Sequence, residues 1–217
     1  MEVPDDFRVP LGWDHPHPGI LAFAMALYLL GFALDASGRP LAYGFLTGDM
    51  VVHFSTFPGF REQFIDYLLA TAFWIFISNI TQVTVFIFSL ATFYPVLKIF
   101  VLVGALLHNL LVGWGVRGLM IYAGTLHLHL EVTGCLLSLQ AALVFVRSLL
   151  GTIQHGSTGP LVTALRENLA YLIPLIILLF GIAAILEVFW STWWVYNLTH
   201  GPVSWRYFYT HVFSVEL

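Results

Sequence analysis

The chain is built from apolar runs long enough to cross a lipid bilayer, and each carries almost no charge. From Val96 to Val116 the only charged residue is Lys98. From residue 119 to 146 it is Glu131, and from 168 to 195 it is Glu187. Only 9% of the 217 residues are charged and 59% are hydrophobic, against roughly 25% charged in a soluble domain. Water-soluble folding cannot hide so much apolar surface, because even large domains bury only about three quarters of what the unfolded chain exposes. The expected fold class is therefore all-α, a polytopic transmembrane helical bundle in which lipid is the solvent.

About five spans are expected, over residues 20–34, 66–93, 96–116, 119–146 and 168–195. Residues 1–18 read as a polar, proline-rich tail without the features of a cleavable signal, so the first span would act as its own insertion signal. After span one, Asp35, Ser37, Gly38, Arg39 and Pro40 break the helix. Residues 41–65 are too polar to span and too aromatic for a free linker, which predicts an interfacial segment. Tyr94-Pro95 separates spans two and three, and the short connection predicts an antiparallel hairpin. Residues 151–167 read as a polar loop. The transmembrane domain as a whole occupies residues 19–196, and 197–217 form a C-terminal tail. The aromatic cluster Phe189, Trp190, Trp193, Trp194 and Tyr196 is of the kind found at headgroup level.

The net charge of −4, with no basic patch, gives no reason to expect nucleic acid. The expected partners are the lipid bilayer and other membrane protein subunits. Loop charges do not orient the chain: Arg8, Lys98, Arg147 and Arg166 would fall on one side and Arg39, Arg61, Arg117 and Arg206 on the other. The single cysteine, Cys135, forms no intrachain disulfide.

A carboxyl group within a span costs about 2.5–3.5 kcal/mol on insertion scales, so Glu131 demands a partner. His127 precedes it by one helical turn and shares its face, whereas His129 points elsewhere. The pair suits a proton relay, a two-ligand metal site or a polar contact joining helices. Glu187 is expected either to snorkel to the interface or to pair with a cation such as Arg117 or Lys98. Asn79 and Gln82 in span two, and His108 and Asn109 in span three, should face the bundle interior, where amide and imidazole groups find interhelical partners. No nucleotide loop, zinc-protease or nucleophile-elbow motif is present, so no catalytic residues, cofactor or metal are expected.

These motifs resemble those of the stage II sporulation protein M family of prokaryotic membrane proteins. The likeness covers about residues 66–191. It is carried by Ser78-Asn79 in the second span, loosely by His108-Asn109 in the third, by His127 followed four residues later by Glu131, and by the small-residue run Ala183-Ala184-Ile185-Leu186-Glu187. Leu126 and Leu128 stand where the family has Pro and Gly. The resemblance implies a divergent member, about five spans, and a non-enzymatic scaffold role in a multi-pass prokaryotic inner or plasma membrane protein. The residues alone leave two other readings open: a channel or transporter with a polar path, and a pigment- or haem-bearing subunit of an electron-transfer complex.

Overall fold

The computed structural model describes residues 17–37, 64–84 and 93–191, together with 193, 194 and 198, and every element among them is helical. Helix α1 spans Pro18–Ala36, α2 Phe64–Thr84, α3 Phe93–Trp114, α4 Val116–Gly124, α5 Leu126–His155, α6 Gly159–Glu167 and α7 Ile173–Leu186. A π turn, Asn168–Leu172, joins α6 to α7, and a second, Glu187–Ser191, follows α7. By length and composition, four stretches suffice to cross a membrane: Pro18–Ala36, Val96–Trp114, Leu126–His155 and Gly159–Ser191. The apolar part of α2 is shorter, Leu68–Thr81. The expected N-terminal tail (to residue 16), the C-terminal tail (apart from Leu198) and the interfacial segment up to residue 63 lie outside the described residues.

Two expected boundaries are corrected. The fourth span, expected at 119–146, is a broken helix. Gly115 ends α3 at φ 56, a left-handed conformation open to glycine, and α4 folds back along α3. Thr125, at φ −78 and ψ 72, then interrupts the helix before α5. The expected polar loop at 151–167 is mostly helical. Gly151 and Gln154 sit inside α5, the turn is confined to Gly156 (φ 63), Ser157 and Thr158, and Pro160 opens α6 where its missing N–H is harmless. A glycine inside a helix costs only about 1 kcal/mol, which packing of α6 on α5 readily offsets.

Pro174 gives the first π turn its cause. Proline has no N–H to offer the Ala170 carbonyl and its ring crowds that oxygen, so the preceding turn widens.

The helices pack in two groups. In the first, α1 and α3 run parallel with their backbones nearly touching. A methyl group on Gly31 would overlap the Val101 carbonyl, and one on Gly104 would overlap the Tyr28 carbonyl. Small residues permit this approach, and without a hydrophobic drive between helices in lipid the close packing itself supplies attraction. In the second group, α5 and α7 run antiparallel, with Gly134 against the Phe180 ring, and α2 lies along α7. Ile20, Ala24, Val96, Phe100, Cys135, Leu139, Ile176 and Phe180 form a core between the two groups. The expected pairing of spans two and three is corrected: α3 packs chiefly on α1, and α2 chiefly on α7. The Gly31–Gly104 contact gives α3 a better partner than its neighbour in sequence.

Candidate functional site

The intramembrane polar residues meet where α2, α5 and the end of the last helix converge. Asn79 Nδ2 of α2 donates to Glu131 Oε1 of α5 across 2.6 Å. His127, one turn earlier on α5, is hydrogen-bonded through Nδ1 to Ser191 Oγ at 2.7 Å. Because α5 and the last helix are antiparallel, moving one turn along α5 from His127 to Glu131 corresponds to moving one turn back from Ser191 to Glu187. The Glu187 carboxyl is close enough for Glu131 to feel its charge. The hydrogen bonds from His127 to Ser191 and from Asn79 to Glu131 thus tie α5 to the last helix and to α2, one turn apart, with Glu187 at the level of Glu131.

Above these contacts lies the break at Thr125. Interrupting a helix leaves its last four carbonyls without the donors that a continuous helix would supply. Each one is met. Ile121 accepts from the Thr125 backbone N–H at 3.0 Å and from Thr125 Oγ1 at 2.6 Å. The carbonyls of Tyr122 and Ala123 share His129 Nε2, at 3.1 and 3.3 Å. Gly124 accepts from Trp190 Nε1 at 2.8 Å. One turn back, Trp194 Nε1 donates to Met120 at 2.9 Å. The Trp190 and Trp194 rings stack at 13°, and Gly124 has no room for a methyl group beneath Trp194. The second π turn widens the helix just where Trp190 and Ser191 reach across to α4 and α5.

A separate pair ties the first group. His108 Nδ1 of α3 lies 2.7 Å from Asp35 Oδ2 at the end of α1, and Phe32 meets the His108 ring edge-on. Tyr28, Gly31, Phe32 and Asp35 form one stripe on α1, matched by Val101, Gly104 and His108 on α3.

Of the residues singled out in the sequence, Asn79, His127, Glu131 and Glu187 come together, and His108 finds a partner in the other group. Asn109 does not face the interior as expected. It is exposed, and its amide donates to the Ala105 carbonyl of its own helix at 3.1 Å, because the buried stripe of α3 passes through Gly104 and His108 instead. The side chain of Gln82 lies outside the described residues. The structure puts a second carboxyl, that of Glu131, beside Glu187.

The sequence reading missed Asp35, Thr125, His129, Trp190, Ser191 and Trp194 as parts of these contacts. Asp35 carried a signal, since it continues the Tyr28, Gly31, Phe32 stripe. His129 carried none: its role exists only because the helix breaks four residues earlier, at Thr125. Asn168, also missed, is fully buried in the first π turn and donates to the Ala141 carbonyl at 3.2 Å. Among the described residues no three His, Cys, Asp or Glu side chains are grouped to hold a metal.

Fold and site together define a multi-pass α-helical membrane protein, its helices in contact with the bilayer and its buried polar side chains joined from helix to helix. Comparison with protein-family models, with curated proteins and with solved structures returns no match.

Proposed function

We propose that the protein is a non-catalytic structural or scaffold subunit of a membrane complex, working alongside other membrane protein subunits in a prokaryotic inner or plasma membrane. The observation that carries this reading is the Asn79 to Glu131 hydrogen bond. It engages the most costly intramembrane residue in holding two helices together. The same pattern recurs in His127 with Ser191 and His108 with Asp35. Side chains committed to such contacts support rigidity, which suits a protein that organises others. The resemblance to the stage II sporulation protein M family, through Asn79, His127, Glu131 and residues 183–187, is part of the same proposal.

The test is affinity purification of the full-length protein from its native membrane, with identification of what co-purifies. Stoichiometric membrane partners, retained by wild type and lost when Glu131→Leu loosens the bundle, support the scaffold role. A second reading, a channel or transporter, is favoured by the succession of Ser191, His127, Glu131 and Glu187 beside a broken helix, an arrangement that transporters use near their sites. If Glu131→Gln leaves partner binding intact but abolishes proton or solute flux in proteoliposomes, the second reading replaces the first.

A further inference from the structure

We infer that the α5–α6 hairpin is a binding surface for anionic phospholipid headgroups, with Arg147 and Arg166 as its charged contacts. From Val132 to Arg166 the chain has no Asp or Glu. Both arginines are exposed, and neither is paired among the described residues.

Their placement follows from the helix register. Asn168 stands against Ala141, so Arg166, two residues earlier, stands near residue 143 of α5. Arg147 is then about one turn away, roughly 6 Å along the axis. At the other end of the same helix pair, Trp190 and Trp194 sit against α4 at Gly124 and Met120. From Leu126, next to the break, to Arg147, α5 rises about 32 Å. The hydrocarbon core is about 30 Å thick. A tryptophan cluster at one headgroup level therefore puts both arginines at the opposite one.

Beyond the arginines the hairpin continues for about 12 Å to the turn at Gly156. Its surface there is amphipathic: Leu150, Ile153 and Val162 are 52%, 70% and 58% exposed, beside exposed Gln154, His155 and Thr163. A projection into water would leave the apolar side chains hydrated. Lying among headgroups lets them enter the acyl boundary while the guanidinium forks hold lipid phosphates, for which arginine is suited by its paired donors. Charge complementarity selects anionic lipid over zwitterionic. The inference needs only that the helices cross a membrane and is independent of the scaffold proposal.

The test uses the full-length protein in nanodiscs of phosphatidylcholine with and without phosphatidylglycerol, with retained lipid counted by native mass spectrometry. Wild type is expected to retain phosphatidylglycerol preferentially. Near a surface each basic residue contributes about a five-fold preference, so Arg147→Gln and Arg166→Gln should each lose about that much and the double variant about 25-fold. Arg147→Lys with Arg166→Lys should keep most of it, which separates loss of charge from loss of fold. Unchanged preference in the double Gln variant overturns the inference. So does displacement of the lipid by millimolar inorganic phosphate, which would mark a free-phosphate site. Protection of the hairpin by a co-purifying protein in lipid-depleted samples would mark it as a protein interface and overturn it likewise.

Discussion

Glu131 of α5 accepts the Asn79 side-chain amide of α2 at 2.6 Å, within electrostatic reach of Glu187 in the turn that follows α7. Two carboxyl groups and one amide thus share a single point of a lipid-embedded bundle. Asn79→Leu removes the donor and is expected to cost about 1 kcal/mol, the usual worth of an interhelical hydrogen bond in membranes. A double-mutant cycle with Glu131→Leu, which removes the acceptor, read by reversible unfolding in mixed micelles, should return a coupling of similar size. Strict additivity of the two single changes would dissolve the contact as an energetic unit.

The α1–α3 crossing predicts opposite effects for two glycines of one helix. Gly104→Ala forces a methyl group into the Tyr28 carbonyl and should destabilise by about 3 kcal/mol or more, since helix backbones rather than flexible side chains must move. Gly113→Ala meets nothing within 4 Å and should stabilise by up to about 1 kcal/mol through helix propensity. Thermal unfolding followed by size-exclusion chromatography in detergent distinguishes them. Equal effects at both sites would contradict the described crossing.

At the broken helix, Trp190→Phe keeps the ring but strands the Gly124 carbonyl. The expected loss is about 1–2 kcal/mol. Gly124→Ala should be at least as damaging, because the added methyl group displaces Trp194. Tryptophan fluorescence checks both: the emission of Gly124→Ala is expected to report a repositioned indole, and a spectrum identical to wild type would argue against the stacked clamp.

His108 and Asp35 form a partly buried pair, with side chains 20% and 9% exposed. His108→Leu leaves the carboxyl without its imidazole and should cost about 2 kcal/mol after allowance for residual solvent. Replacing both, as Asp35→Leu with His108→Leu, should recover much of that loss, since matched apolar side chains often substitute for a buried pair. The melting temperatures of the single and double variants decide it. A double variant weaker than His108→Leu alone would show that Asp35 has a larger role than this pair.

Much of the architecture was legible from apolar run length. Among the described residues each long run is helical, because lipid forbids unsatisfied backbone whatever the tertiary arrangement. Helix ends were less legible. The break at Thr125 has no glycine or proline at the broken residue, and it persists because Thr125, His129 and Trp190 supply donors from elsewhere. In the site, the Glu131 requirement for a partner was readable from the cost of a carboxyl in hydrocarbon, but Asn79 as that partner was one amide among several. The placement of Asn109 was misread because the buried stripe of α3 depends on which helix packs there, and that helix is α1.

Composition and pattern alone determined that this chain lives in a membrane as helices, and that Glu131 and His127 share one face. Both follow from local physics: the hydration cost of apolar surface and the 3.6-residue turn. Only the tertiary structure decided that α3 pairs with α1, that Glu187 stands opposite Glu131, and that tryptophans from the last helix cap a break in another. Those facts depend on which backbones approach closely and on the register between distant helices, and no spacing along one helix encodes the register of its neighbour.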